Sequence, residues 1–342
     1  MVAVVAVSLF AGLGVGRRAG GQDKPEAEKR EVEKPPLRGV PGIFAMDPDG
    51  SNPRPLVKIP GMRWHGSPSW SRDGAMVAFD ATGGGFSESQ VFVYAVKGPF
   101  KGMLRDMGPG LYPTFSPDDA TIAYGGPGNP NGPQSGEPGV WLMNADGTNR
   151  RWLCNGDHPK WSPDGKKIAI AHDQQTPGTI DVVTLETGKA VRVLTSTYAE
   201  IHGAVFSPDG GKLAFIGYAD PQRLAAELVV MGADGAPETR QVVTRGRIGW
   251  VPNWSPDGKQ LTFVLWTRKL GVDIDTSYVV DADGKGVPVK LKNQDVGTRN
   301  VEVEWSPDGK ALVFASDREI DGVVKIEQAE EQKVDIVPRQ AE

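Results

Sequence analysis

The chain has 342 residues, a formal net charge of −5, 44 glycines, 28 prolines and one cysteine. An acidic chain without clustered Lys and Arg argues against a nucleic-acid-binding surface, because that surface must neutralise phosphates. The lone Cys154 excludes an intramolecular disulfide and a cysteine-based metal site. The many glycines and prolines fit frequent tight turns better than long helices.

The first part of the chain divides into two segments. Residues 2–16 are uncharged and almost wholly apolar, and the run is short for a bilayer span but fits the core of a secretory signal. Because no Lys or Arg precedes the run, an uncleaved anchor or a start codon assigned too far downstream explains it as well. We expect residues 1–21 to be a signal peptide or membrane anchor, and the protein to be periplasmic or secreted. Residues 22–41 are charged and poor in apolar side chains, which predicts a disordered charged linker.

From Gly42 the chain changes to short apolar runs that are separated by turns. An apolar run at 43–46 is followed by Asp47-Pro48-Asp49-Gly50 and a second run at 55–57. Asp-Gly between two apolar runs is a strong hairpin signal, because Gly supplies the positive φ that the turn requires. The same hairpin recurs at 140–147, 228–235 and 278–284.

A second element, aromatic-Ser-Pro-Asp-Gly followed by an apolar strand, occurs four times in this form and twice with one change, Arg72 for proline and Asp119 for glycine. Its aromatic residues lie 45 to 51 residues apart, at Trp70, Phe115, Trp161, Phe206, Trp254 and Trp305. Strand-rich repeats of this length are typical of a propeller with one four-stranded blade per repeat. The sequence therefore predicts an all-β, six-bladed β-propeller of four-stranded antiparallel blades over residues 42–342.

Each repeat reads as four strands, A to D. Strand A ends at the motif aromatic residue, the Ser-Pro-Asp-Gly turn leads to strand B, a longer loop leads to strand C, and an Asp-Gly turn leads to strand D. We expect the motif aromatic residue to pack between neighbouring blades. The nine Trp residues are then mainly core.

Closure of the ring has two possible solutions. The sequence holds six A–B hairpins but seven candidate C–D hairpins. We favour a last blade in which the 42–58 hairpin completes the strands at 300–316, because its Asp-Gly turn matches the internal repeats. In the alternative, the hairpin at 322–337 closes its own blade.

These repeats resemble the WD40-like repeats of the TolB-type β-propeller, and the resemblance covers residues 42–316. It implies a six-bladed propeller, a periplasmic location and a protein partner in a cell-envelope complex. The TolB family proper carries an α/β domain before its propeller, whereas residues 22–41 are too few and too charged to form one. One fold hosts many activities, so the resemblance is specific for the fold and less so for the function.

Strand directions separate the two ends of the propeller. The Ser-Pro-Asp-Gly and Asp-Gly turns share one end, which we call the motif face, and the B–C and D–A loops share the other, which we call the loop face. The loop face carries the sequence variation, and the residues that begin each strand A would ring the channel mouth there. We therefore expect a non-enzymatic, monomeric protein that binds a protein or peptide on the loop face, with Trp64, Tyr112 and Trp250 as the main contacts. The predicted binding residues are Trp64, His65, Tyr112, His158, His202 and Trp250.

The alternative is a propeller enzyme. His65, His158 and His202 lie three to five residues before a motif aromatic residue, so their imidazoles could converge on a metal, as in a metal-dependent carbohydrate lyase or hydrolase. Loop histidines that bond backbone or water are the simpler interpretation, and we predict no catalytic residue, metal or cofactor. No Gly-x-Ser-x-Gly elbow is present. Lys160 and Glu304, each directly before a motif aromatic residue, belong to opposite blades and are expected not to pair.

Overall fold

The computed structural model describes residues 42–126, 139–172, 178–220, 222–269, 272–294 and 298–318. The predicted signal peptide or anchor, the predicted linker and the 322–337 hairpin lie outside these residues. Within the described part of the chain, no helix has the length and apolar character needed to cross a membrane.

The described residues form six four-stranded antiparallel sheets, which confirms the predicted six-bladed propeller. The chain opens with β1 (Gly42–Met46) and β2 (Arg54–Val57). Blades 1 to 3 follow as β3 (Trp64–Trp70), β4 (Met76–Thr82), β5 (Gln90–Ala95) and β6 (Leu104–Pro109); β7 (Leu111–Phe115), β8 (Thr121–Gly126), β9 (Gly139–Asn144) and β10 (Arg151–Asn155); and β11 (Asp157–Trp161), β12 (Lys167–His172), β13 (Thr179–Thr184) and β14 (Lys189–Thr195).

The remaining strands complete blades 4 to 6. Blades 4 and 5 are β15 (Glu200–Phe206), β16 (Lys212–Tyr218), β17 (Ala226–Gly232) and β18 (Gln241–Gly246); and β19 (Ile248–Trp254), β20 (Gln260–Lys269), β21 (Val272–Asp281) and β22 (Val289–Lys290). Blade 6 consists of β23 (Asn300–Trp305) and β24 (Leu312–Ser316) together with β1 and β2.

The ring closes through blade 6. Strand β1 pairs with β24 in continuous antiparallel register, from Gly42 opposite Ser316 to Met46 opposite Leu312. The sheet order β2-β1-β24-β23 confirms the closure that we favoured from the Asp-Gly turn. Both ends of the propeller therefore meet within one blade.

The Ser-Pro-Asp-Gly turn has a local physical cause, seen in blade 3. The Ser162 hydroxyl donates to Asp164 Oδ1 at 2.6 Å and accepts the Lys167 N–H at 2.9 Å. Gly165 has a φ of +69°, in the left-handed region that favours glycine. The motif is thus a self-contained turn that starts the second strand of each blade.

Motif aromatic residues pack between blades, as predicted. Trp254 lies in a buried cluster with Leu228 of blade 4 and Phe263 of blade 5, and its Nε1–H donates to the Val205 carbonyl at 3.0 Å. Trp161 likewise donates to the Thr114 carbonyl of the preceding blade at 3.2 Å. The indole therefore joins neighbouring blades by apolar burial and by a directed hydrogen bond.

Two departures from the motif meet at one contact between blades 1 and 2. In blades 3 to 6 the turn glycine faces the motif proline of the preceding blade; a Cβ on Gly165 would lie 3.7 Å from Pro117 Cδ. Blade 1 has Arg72 where the other motifs have proline, and blade 2 has Asp119 where they have glycine. The Asp119 carboxylate accepts the Arg72 N–H at 2.5 Å and the Asp73 N–H at 3.0 Å. The extra backbone donor in blade 1 thus finds its acceptor in blade 2.

We expect these two departures to be energetically coupled. Asp119→Gly should destabilise the protein by about 1 kcal/mol, because the loss of a charged acceptor for two backbone donors outweighs the relief that glycine gives to the left-handed φ of 59° at this position. In the double variant Arg72→Pro/Asp119→Gly, which restores the motif of the other blades, that cost should largely disappear. Urea unfolding of the wild type, both single variants and the double variant measures the coupling, and strictly additive free energies would contradict it.

Candidate functional site

Every innermost strand carries a β-bulge near the loop face. The strand register shifts within β3, β7, β11, β15, β19 and β23. Each bulge contains one residue with a left-handed φ of 48° to 66°: Ser67, Tyr112, His158, Gly203, Trp250 and Glu302. Such backbone is uncommon outside glycine and costs on the order of 1 kcal/mol or more. The bulge redirects side chains, and it recurs in all six blades around the channel.

One group of rings joins blades 2, 3 and 4 on the loop face. Tyr112 and His158 stack with ring centroids 3.7 Å apart, and His158 and His202 stack at 5.7 Å. Tyr218 meets His202 edge-on at 5.0 Å. Three residues predicted from sequence are therefore in direct contact around the channel.

A second group joins blades 1 and 5 on either side of blade 6. Trp64 and Trp250 have centroids 5.4 Å apart, and Trp266 meets Trp250 edge-on at 6.2 Å. Phe86, in the β4–β5 loop, contacts Trp64 at 5.8 Å and is 54% exposed. The guanidinium of Arg299 lies 5.3 Å from the Trp64 ring centre. Trp64 and Trp250, the other two predicted aromatic contacts, thus form one cluster with a solvent-exposed edge.

His65 lies away from both groups of rings. It is fully buried, its Nε2 accepts the Ile59 N–H at 3.0 Å, and it stacks on Phe79 of its own blade. Burial lowers the pKa of His158 to about 3, so this imidazole is neutral at physiological pH. Within the described ranges, no group of three or more His, Cys, Asp or Glu side chains is placed to hold a metal ion. The three-histidine metal site was the alternative to the prediction of no metal, and the described residues do not bring the three imidazoles into one group.

Two buried carboxyl groups bridge three blades beneath the rings. Glu302 of blade 6 accepts the Ser67 N–H of blade 1 at 2.5 Å, and Asp80 of blade 1 accepts the Tyr112 N–H of blade 2 at 2.9 Å. Desolvation raises the pKa of Asp80 to about 6. Desolvation and the neighbouring Asp80 charge raise the pKa of Glu302 to about 7. Both groups therefore change protonation near neutral pH.

The motif face holds an open cavity at the other end of the channel, which we call the cup. Its volume is about 410 Å³, and residues of all six blades line it. The lining consists of motif aromatic residues, motif prolines with Arg72 in place of the first, and the residues directly before the aromatic positions: Ser69, Thr114, Lys160, Val205, Asn253 and Glu304. The aromatic residues and prolines of the cup thus belong to the repeated motif. The six residues directly before the aromatic positions differ from blade to blade and give the cup its specific polar groups.

Lys160 and Glu304 form an ion pair across the channel. Lys160 Nζ lies 3.9 Å from Glu304 Oε2, and both side chains are largely buried. The prediction that these residues do not pair, because they belong to opposite blades, is wrong. The inner strands converge on a channel so narrow that two long side chains from blades 3 and 6 meet.

Comparison with known proteins decides the family. A family model described as the TolB beta propeller domain matches residues 38–249, which is more than half of the chain. The chain belongs to the TolB β-propeller family. An uncharacterized relative of this TolB-family protein, Atu1656 of Agrobacterium fabrum, is 29% identical over 164 residues, which are 47% of this chain and 50% of the relative. The matched part thus spans about half of that relative's length.

Solved structures show the same fold. A TolB-type protein of Agrobacterium tumefaciens superposes with a TM-score of 0.62 and 20% identity, covering 82% of this chain and 98% of that one. TolB from Acinetobacter baumannii superposes with a TM-score of 0.60 and 17% identity, covering 78% and 66%. At these identities the likeness establishes the propeller architecture of this TolB-family chain.

Sequence reasoning missed Glu302 and the cup. Glu302 reaches Ser67 because it lies at a bulge, and a bulge leaves no mark in hydrophobic periodicity. The signal for the cup was present, since the position before each motif aromatic residue differs in chemistry among the six repeats of this TolB-family propeller. That signal acquires meaning only when six blades bring those positions together.

Proposed function

We propose that this chain is a non-enzymatic binding propeller of the cell envelope, located in the periplasm or secreted, that holds a protein or peptide partner on its loop face. The observation that carries the proposal is the cluster of Trp64, Trp250 and exposed Phe86 at the channel mouth. Aromatic residues dominate the binding energy of protein interfaces, and an exposed ring backed by fixed rings loses little entropy when a partner covers it.

Unsatisfied donors beside this cluster support the same proposal. The Nε1–H groups of Trp250 and Trp266 are buried and have no hydrogen-bond partner among the described residues. Buried donors in native proteins are nearly always paired with protein, water or ligand. Carbonyl oxygens of a bound peptide would pair with both N–H groups after a small movement of the rings that exposes them. The two TolB structures that superpose on this chain have the same propeller architecture, which is compatible with this proposal.

Two phenylalanines on opposite faces provide a matched test. Phe86 is 54% exposed on the loop face, and Phe100 is 63% exposed in the β5–β6 turn on the motif face. A partner is first isolated from envelope extracts with the full chain, identified by mass spectrometry and purified. Phe86→Ser should then weaken its Kd by at least about tenfold, since a hot-spot aromatic residue contributes about 2 kcal/mol or more.

The control Phe100→Ser should leave the Kd unchanged, with both variants matching the wild type in thermal unfolding. The same Kd for Phe86→Ser and the wild type, or an equal loss in Phe100→Ser, would refute loop-face binding.

A further inference from the structure

The cup lies on the motif face, at the other end of the channel from the loop face. Its walls repeat from blade to blade, with aromatic residues between the blades and prolines at the mouth. A cavity of about 410 Å³ whose lining combines aromatic and proline side chains with polar and charged ones has the size of a small-ligand pocket. The ring of residues before the motif aromatic positions therefore decides what such a pocket would accept.

Lys160 carries the charged group of this ring that makes no hydrogen bond to the described residues, although it forms an ion pair with Glu304. The Glu304 carboxyl group is already hydrogen-bonded, because its Oε1 accepts the Trp70 N–H at 2.9 Å and the Ser69 hydroxyl at 3.3 Å. Lys160 meets Glu304 only at 3.9 Å, beyond hydrogen-bond distance, and its ammonium makes no hydrogen bond to the described residues. Lys160 lines the cup with three N–H donors, beside one carboxyl group that already accepts two hydrogen bonds.

The mouth of the cup adds a second cation. Arg72 stands where the other five motifs have proline, and its exposed side chain lines the cup. The motif aspartates do not belong to the lining, and each is held by the hydroxyl of its own motif serine at 2.5 to 2.7 Å. Glu302 lies outside the cup lining but also interacts with the Lys160 charge, whereas within the lining two cations accompany one hydrogen-bonded carboxyl group. This balance favours an anion in the cup, and the aromatic and proline side chains favour an apolar body behind it.

We propose that the cup binds a carboxylate carried on an apolar body, with the carboxylate at Lys160 and the apolar body against the motif aromatic residues and prolines. A free organic acid and the C-terminal residue of a peptide share this chemistry. In either case the ligand carboxylate accepts hydrogen bonds from the Lys160 ammonium that Glu304 is too distant to accept. Arg72 attracts the anion at the mouth.

Calorimetric titration of the full chain tests the proposal with matched probes. One pair is 3-phenylpropanoate and its primary amide, and the other is the peptide Gly-Ser-Gly-Phe as free acid and as C-terminal amide. We expect at least one acid to bind and its amide to bind at least about tenfold more weakly, because a charge-assisted hydrogen bond is replaced by a neutral contact. Binding of the small acid alone, or of the peptide acid, identifies the source of the carboxylate.

Two variants of Lys160 and Glu304 test whether the acid binds at this ion pair. Glu304→Gln keeps an acceptor for Trp70 but removes the competing charge, so acid binding should become tighter. Lys160→Met/Glu304→Gln removes both charges together and should abolish the preference for acid over amide, while thermal unfolding shows that it folds. Equal affinity for acid and amide, an unchanged acid preference in the double variant, or no binding of either acid at millimolar concentration would overturn the proposal. Phe86→Ser should leave acid binding intact, which separates this site from the loop face.

Discussion

Trp254→Ala is expected to lower the free energy of unfolding by about 3–5 kcal/mol, the range for replacing a buried Trp or Phe by Ala. Trp254 is 8% exposed and lies between blades 4 and 5, where the truncation opens a cavity. It also leaves the Val205 carbonyl without its indole donor. Urea unfolding followed by circular dichroism measures the loss.

The repeat supplies the control for this variant. Phe115 and Phe206 occupy the same motif position in blades 2 and 4, so an aromatic ring without a donor suits the architecture. Trp254→Phe should therefore cost only about 1–2 kcal/mol, for the lost hydrogen bond and part of the volume. If Trp254→Ala costs no more than Trp254→Phe, the contact between blades does not hold them together as described.

Stability should fall as the pH rises from 5 to 8, because of Asp80 and Glu302. Their folded pKa values, about 6 and about 7, are raised above the ordinary 3.8 and 4.5. The folded state therefore holds protons more tightly, so the stabilisation is complete below the ordinary pKa values and is lost as the pH passes the raised ones. One pKa unit corresponds to about 1.4 kcal/mol, so each carboxyl group accounts for at most about 3 kcal/mol.

Neutral isosteres test this assignment. Asp80→Asn and Glu302→Gln keep an oxygen to accept the backbone N–H but cannot ionise, so the gain in stability of each over the wild type should be larger at pH 8 than at pH 5. Their effects should not add, because the Asp80 charge contributes to the shift at Glu302. As a control, Asp164→Asn should keep the wild-type fall, because Ser162 lowers the pKa of that carboxyl group. A flat wild-type profile between pH 5 and 8 would contradict the argument.

The fold was predictable because its determinants are local and repeated. Ser162, Asp164 and Gly165 define a turn by contacts within a few residues. Six such turns at a nearly constant spacing predict a propeller with one blade per repeat. The choice of closing hairpin also followed from a local feature, the Asp-Gly turn at 49–50.

The candidate site was predictable only in part, because it depends on contacts between distant blades. The sequence predicted Trp64 and Trp250 at the channel mouth on the loop face, and their rings are in contact. His65, predicted at the same mouth, instead accepts the Ile59 N–H within its own part of the chain. The pairing of Lys160 with Glu304 depends on the channel width, which no single repeat encodes. The positive-φ bulges have no shared residue type, since the position holds Ser67, Tyr112 and Glu302 in blades 1, 2 and 6.

The pairing of β1 with β24 constrains the order in which the molecule can form. Strand β1 is synthesised first, but its partner in blade 6 is the last described strand, so the hairpin of β1 and β2 waits for the rest of the chain. Pairing across such a sequence separation is slow, since the intervening chain must be ordered before the contact is made. Blades 1 to 5 can assemble in succession from neighbouring strands, and ring closure is then the final step. A protein that crosses a membrane as an extended chain would complete this step only after its last blade has arrived.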